Sequence, residues 1–431
     1  MKKETPEEFL RRHNMFYEQM PFEALVQSYI DDLRAGLAGE PSSLMTQPTF
    51  LRTDAAPRIG ESVLALDAGG TNLRAARIRF DNGGRPIVEA FKKRRMPGSN
   101  GNTVTAETMF RTMAELSLET APDARCACAA FSYPSEYLPD GDARILRLGK
   151  ETRIDGAEGK LVAAGVEAAM EKLGARNVRR WRVINDSVGS MLGGIASCER
   201  EKYSDFIGFI LGTGTNACCC VSAESVTKSP ETAARGGTTV VNLESGCFAH
   251  LLRGTADFTV DAESDLPGDH LAEKMISGAY YRVLLGKTLA LAADEGLLSK
   301  KSGERIRALR ITSPYIDDFC LDPQGNNAIA AALSDAEERR FAADVNTMLL
   351  ERSARAAAAC LCAVMKMRSV PPDGITGICA DGTMLRLNPV LRGRMEAYMK
   401  AYAARHGLGG AEFIFTADAT VLGAGWAAAT L

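Results

Sequence analysis

The chain has 431 residues, enough for two or three units of ordinary domain size and beyond the length at which one core usually stops growing, which excludes a lone small module. Hydrophobic residues at 46%, charged residues at 24%, and 40 Gly with 17 Pro all sit near globular averages, so disordered, collagen-like and fibrous classes are excluded. With 51 Lys+Arg against 54 Asp+Glu the formal charge is −3, leaving no basic excess to gather the phosphates of a nucleic acid or lipid surface. Small-molecule partners are expected, with no nucleic acid and no membrane.

Along the chain, residues 6–37 carry Phe9, Met15, Phe16, Met20, Phe22, Leu25, Val26, Ile30 and Leu33 in helical rhythm, then a linker with Gly39, Pro41, Ser42 and Ser43. A helical arm therefore precedes the main fold. Residues 62–66 form a short apolar run ending in Asp67, followed by Gly69-Gly70-Thr71-Asn72 and a second strand over 73–80. Strand candidates follow at 125–131, leading into Ser132-Tyr133-Pro134, and at 178–184, ending in Asn185-Asp186 before a helix over 188–195; an amphipathic helix over 160–173 lies between them. The strand, glycine turn and strand arrangement returns at 206–211, Gly212-Thr213-Gly214-Thr215-Asn216 and 217–222. Its recurrence at about one domain's distance suggests two related α/β units whose turns face one ligand. Residues 335–367 form a long Ala-rich helix, entered by a Ser334/Glu337 capping box and long enough to suggest a break or kink. Strands at 375–380, ending in Asp381-Gly382-Thr383, and at 413–416 precede a terminal helix over 421–431.

Eleven cysteines, with Cys126/Cys128 and Cys218-Cys219-Cys220 too close for a regular disulfide framework, suggest a reducing compartment. The first residues are acidic where a signal peptide would be apolar, and no apolar run reaches about 18 residues, so a cytoplasmic protein is expected. None of His13, His250, His270 and His406 stands at metal-ligand spacing from a Cys pair. The cysteines read as buried core residues, and no protein metal ligand is expected.

Phosphate recognition needs several donors aimed at one point, and a tight glycine turn supplies backbone N–H groups while Thr or Asn adds a side-chain donor. Both glycine turns meet that need, and neither is a P-loop or a Rossmann turn. Asn185-Asp186 lies at a strand's carboxyl end and a helix's amino end, where ligands of α/β sheets gather and the helix dipole favours a carboxylate. Asp186 would serve as helix cap and general base together.

Leu66-Asp67-Ala68-Gly69-Gly70-Thr71-Asn72-Leu73-Arg74, Phe131-Ser132-Tyr133-Pro134, Asn185-Asp186-Ser187-Val188-Gly189, Gly212-Thr213-Gly214-Thr215-Asn216-Ala217-Cys218, Asn242-Leu243-Glu244 and Glu273-Lys274-Met275-Ile276-Ser277-Gly278 resemble the hexokinase family in order and spacing. Ser43-Leu44-Met45-Thr46-Gln47-Pro48-Thr49 and Asp381-Gly382-Thr383 extend the similarity over nearly the whole chain. The resemblance implies an α/β, two-lobed actin-like ATPase (ribonuclease H-like) fold with a central cleft. Its expected parts are an N-terminal arm and linker, 1–56, packing on the large lobe; a small lobe, 57–195, joined by the terminal helix 421–431; and a large lobe, 196–420.

By the same resemblance the chain is an ATP-dependent hexokinase requiring Mg²⁺, acting on the 6-hydroxyl of glucose and related hexoses at the first step of glycolysis, as a monomer or homodimer. Asp186 is the implied base, and Ser132, Lys150, Asn185, Asn216, Glu244 and Glu273 the sugar contacts. Asp67, Gly70, Thr71, Asn72 and Arg74 match the first phosphate segment, and Gly212, Thr213, Gly214 and Thr215 the second. Asp381, Gly382 and Thr383, with Gly423 and Gly425, fall on the nucleotide side. Two departures stand out: Gly149-Lys150 replaces the family's Thr-Lys pair, and Leu422-Gly423-Ala424-Gly425-Trp426 lacks the usual hydroxyl and cation, with Trp426 expected in the helix core. Two rival classes are weaker. Retention of Asp186 and both phosphate turns opposes an idle sugar sensor, and the acidic arm and scattered cysteines oppose a DNA-binding relative.

Overall fold

The computed structural model describes residues 4–53, 55–148 and 152–431. Two sheets carry it. In the first, the strands Ser62–Ala68, Asn72–Phe80, Pro86–Arg95, Cys126–Phe131 and Arg180–Ile184, numbered one to five along the chain, lie in the order 3-2-1-4-5. The first three pair antiparallel and the last two join in parallel. In the second sheet Asp205–Leu211, Thr215–Ser222, Thr238–Asn242, Ile375–Asp381 and Gly410–Ile414 repeat that order and those directions, with the short Gln47–Pro48 strand added at the edge. Two glycine-turn hairpins at matching positions are thus the visible trace of a duplicated unit.

Why these segments are strands is plain in their burial. Cys126–Phe131 is buried at every position and Ser62–Ala68 at all but its first, as central strands covered on both faces require. The edge strand Pro86–Arg95 is mostly exposed and ends in Lys92, Lys93, Arg94 and Arg95, charges that blunt an open edge.

Each five-stranded unit ends in a helix, Asp186–Ser197 in the first and Ala419–Ala429 in the second, and the two helices cross. Their contact is backbone to backbone. A Cβ on Gly193 would stand 2.0 Å from the Ala419 carbonyl oxygen, and one on Gly423 would stand 1.9 Å from that of Gly189. The Ala419–Ala429 helix packs on the first sheet, with Gly425 against Ile78, while Asp186–Ser197 packs on the second, with Gly194 against Cys379. Each unit's last helix therefore lies on the other unit's sheet.

The N-terminal arm buries Phe9, Leu10, Met15, Val26, Tyr29 and Leu33 in one cluster with Phe248, Leu285, Leu349 and Leu361. It is not one helix. Pro6–Arg12 stops where Asn14 turns to φ 57°, and Phe22–Ala38 begins after Pro21, which suits a helix start. The long helix Ala336–Arg368 departs from expectation in the other direction: it runs 33 residues without a break. Nearly every residue from Leu349 to Met365 is buried, because the Phe22–Ala38 and Pro389–His406 helices pack along it, and alanines let them approach. Its cap is Asp335, whose carboxylate accepts from the Glu337 and Glu338 amides, so the Ser334 capping box is displaced by one residue.

Candidate active site

The site forms where strand ends of both sheets meet the paired helices. Asn185, not Asp186, caps the Asp186–Ser197 helix: its Oδ1 accepts from the Ser187 amide at 2.7 Å and the Ser187 hydroxyl at 2.7 Å. The capping role expected of Asp186 thus falls to its neighbour. Asp186, half-buried in the first turn, accepts from the Ser187 amide at 2.9 Å.

A ladder of amides leads from that cap across the second sheet. Asn216 Nδ2 donates to Asn185 Oδ1 at 3.1 Å and to Asn242 Oδ1 at 2.9 Å, while Asn242 Nδ2 donates to Glu244 Oε1 at 2.8 Å. Asn216 Oδ1 accepts from the Ser245 amide at 3.1 Å, which ties the loop after Glu244 to the hairpin. Glu244 is held at φ 51°, a conformation that an unbranched residue other than Asn or Gly rarely adopts. Glu273, on the short helix Leu271–Ile276, accepts from the Thr215 amide at 3.0 Å and lies against Gly214 and Gly246, where a Cβ would strike it. The next residue, buried Lys274, fixes that helix through Asp261 at 2.6 Å.

Tyr137 completes this wall and was not legible in the sequence. Its phenol is buried beside the Asn185 and Asn242 amides, and its hydroxyl makes no well-formed hydrogen bond among the described residues. Burial, with the charges of Glu244 and Asp186, pushes that phenol well above its ordinary range. Asn242, fully buried at the centre of the ladder, is the other residue missed; its place in the Asn242-Leu243-Glu244 motif was the available signal. Ser132 is buried at the end of its strand, its amide donating to the Ala68 carbonyl at 3.1 Å. Lys150 and Gly149 lie outside the described residues.

On the other side of Asp186 stand the two glycine turns. The first is braced from beneath: Tyr133 Oη donates to the Gly69 carbonyl at 3.2 Å, and Thr152 Oγ1 to the Gly70 carbonyl at 3.3 Å. Thr71 and Thr213 are exposed at the two tips, with Gly70 and Asn72 half-buried beside the first. Thr215 differs from expectation. Its hydroxyl donates to the Ile210 carbonyl and its amide to Glu273, so it secures the second turn rather than offering donors to a ligand. Gly212 lies against Gly382, whose φ of 114° and contact with the Leu211 carbonyl leave no room for a side chain. Thr383 is exposed next to it.

Four carboxylates converge on these turns. Burial pushes the Asp67 carboxyl up to about 7; Arg74, 3.2 Å away, opposes this, and the charges of Asp186, Asp381 and Asp418 add to it. Asp418, at the start of the Ala419–Ala429 helix with φ 50°, stands 3.8 Å from Arg74 and was not singled out from sequence. Gly423 and Gly425, expected on the nucleotide side, are instead buried at the helix crossing and against Ile78, where only the absence of a side chain permits the approach. Trp426 fills the core beside them.

Two duplicated α/β lobes, paired glycine turns, a carboxylate between them and a wall of amides and carboxylates define a phosphotransferase of the actin-like ATPase fold. Two hexokinase family models match the chain, one over residues 7–196 and one over 206–430. Hexokinase-1 of Schizosaccharomyces pombe is 27% identical over 86% of this chain and 80% of its own length. Hexokinase-1 of rice (Oryza sativa subsp. japonica) is 28% identical over 78% of this chain and 72% of its own. In fold, a Schistosoma mansoni hexokinase complexed with glucose superposes with a TM-score of 0.80 at 22% identity, covering 99% of this chain and 100% of that one. The chain belongs to the hexokinase family.

Proposed function

We propose that the protein is an ATP-dependent hexokinase that transfers the γ-phosphoryl group to the 6-hydroxyl of glucose and related hexoses, with Asp186 as the general base. One observation carries the placement of Asp186: the sheet register sets Ile184 beside Ala130 and Ala130 beside Asp67, so Asp186 follows its strand at the level of the first glycine turn, directly after Asn185 of the amide ladder. A base for this transfer must stand between the acceptor hydroxyl and the phosphoryl group, within reach of both.

Carboxylates and amides arranged around neighbouring hydroxyls distinguish sugars by the donors and acceptors left stranded when one is misplaced. Glu244, Glu273, Asn185, Asn216 and Ser132 supply that set, and the Tyr137 hydroxyl, beside the Asn185 and Asn242 amides, is one more group that a bound hexose would engage. Thr71, Thr213, Thr383 and the backbone of both turns receive the nucleotide phosphates. The cluster of Asp67, Asp381 and Asp418 carboxyls supports Mg²⁺ arriving with ATP, and Asp67, on giving up its proton, would hold it together with Asp418. Bound there, the ion would neutralise charge on the phosphate oxygens. The eleven free cysteines support a reducing, cytoplasmic setting.

A coupled assay of the purified chain against a hexose panel, with and without Mg·ATP, tests the activity. Asp186→Ala is expected to leave hexose binding largely intact and to lower kcat by about two orders of magnitude or more. Near-normal turnover in that variant would reject the base assignment.

A further inference from the structure

Cys247 ends the short turn Ser245–Cys247 that follows Glu244, and His270 opens the helix that carries Glu273. Twenty-three residues apart, they face each other with Sγ 3.7 Å from Nε2. Asp269 lies behind: its Oδ1 is 2.8 Å from His270 Nδ1, and its Oδ2 accepts from Arg147 at 2.6 Å. One ligand atom from each of Cys247, Asp269 and His270 lies within 4.8 Å of the others.

We infer that Cys247 and His270, oriented by Asp269, form a binding site for a zinc-like, thiophilic divalent cation on the wall of the hexose pocket, and that its occupation competes with the sugar. Three features support it. A tetrahedral zinc with bonds of about 2.3 Å to sulfur and 2.0 Å to nitrogen sets those two atoms about 3.6 Å apart, close to the separation present here. The Asp269 carboxylate can only accept, so Nδ1 carries the ring proton and the Nε2 lone pair faces the thiol. That carboxylate–histidine arrangement is the usual support of a metal-binding imidazole. His270 stands in the left-handed region at φ 49°, and its ring is held between the Asp269 carboxylate and the Cys247 sulfur.

Burial, with the charges of Glu244, Asp269 and Glu273, pushes the Cys247 thiol well above its ordinary range, so the thiol gives up its proton only to a bound metal, and the same carboxylates draw a cation in. On binding, the Cys247 S–H bond breaks, the sulfur's electron pair goes to the metal, and the proton passes to solvent; no oxidant is needed. The competition with sugar rests on the hexose reading of Glu244 and Glu273, whereas the cation site itself does not.

The test uses Co²⁺ as an optical probe on the full chain, under a non-chelating reductant. Expected are a thiolate-to-cobalt charge-transfer band, one equivalent at saturation, displaced by Zn²⁺ and lost in both Cys247→Ser and His270→Asn, each verified as folded by circular dichroism. Glucose should remove the band, and Zn²⁺ should inhibit phosphorylation competitively with hexose, at least tenfold more weakly in either variant. No band, or a band unchanged in both variants, overturns the cation site. A band that persists at saturating glucose overturns the competition. Calorimetric titration of the metal-free chain with glucose reports separately on the hexose reading, whose failure would leave the cobalt result standing.

Discussion

Two residues of the site carry a measurable cost that the free protein tolerates. Asp67 holds its proton up to about 7 when folded, against 3.8 for an ordinary Asp, so between those values the folded state binds more protons than the unfolded one. Stability from this group is therefore complete below about pH 4 and lost as pH rises to 7, by at most about 4 kcal/mol at 1.36 kcal/mol per unit. Asp67→Asn should gain in melting temperature relative to the parent as pH goes from 4 to 8, and Mg·ATP should narrow the gap by relieving the same repulsion in the parent. A difference that does not change with pH would show that the folded state does not hold the Asp67 proton. Tyr137 is the second case. Because the buried Tyr137 hydroxyl meets the Asn185 and Asn242 amides without a well-formed hydrogen bond, its removal loses little and lifts part of a desolvation penalty of about 1–3 kcal/mol, so Tyr137→Phe should melt close to the parent temperature. It should also raise KM for hexose about tenfold with KM for ATP unchanged. A lower melting temperature with both KM values intact would show the phenol to be ordinary core.

At the scale of elements, the crossing of Asp186–Ser197 with Ala419–Ala429 joins the two lobes through glycine backbone, and it brings the Asp186 and Asp418 helix starts to the same end of the cleft. Gly193→Val would force the Ala419 backbone away from a contact that has no slack, and is expected to cost about 2–3 kcal/mol as overpacking. Equilibrium urea unfolding should show it as a lower midpoint, with Gly174→Val, at a loop glycine with open space but positive φ, a milder comparison. Equal losses at the two sites would mean that the crossing is not tightly packed. Much of this level was legible beforehand: alternating apolar runs, the two Gly-Thr-Asn hairpins and the strand-end carboxylates report on local structure, and local structure is what short stretches of sequence encode. The Asn185–Asn216–Asn242–Glu244 ladder and the Cys247–His270 pair were not, because each needs segments far apart in the chain to be placed at ångström separation. The Ala-rich helix misled for a related reason, since its continuity is set by the helices packed on it and not by its own length. Gly423 and Gly425 misled because a glycine looks the same in sequence whether a ligand or another backbone approaches it.

For the whole molecule the question is what holds the lobes at their observed spacing. Besides the crossed helices, Arg147, from the loop between the fourth and fifth strands of the first sheet, reaches across to Asp269 at 2.6 Å on the second unit. The Asp269 carboxyl is drawn down to about 2 although burial opposes it, because Arg147 and His270 stabilise its charge. Asp269 is 38% exposed, so solvent screening reduces what the pair contributes to about 1 kcal/mol. A contribution of that size suits a clasp that shifts an open–closed equilibrium without fixing it. Arg147→Ala should therefore enlarge the radius of gyration of the sugar-free protein in small-angle scattering, and saturating glucose should restore the parent value. Because the sugar must then supply the closing energy the clasp gave, KM for hexose should rise about fivefold at unchanged kcat, the effect fading in high salt as the parent's own clasp is screened. An unaltered radius together with an unaltered KM would show that the helix crossing alone sets the cleft, and that Arg147 and Asp269 meet only as a surface pair.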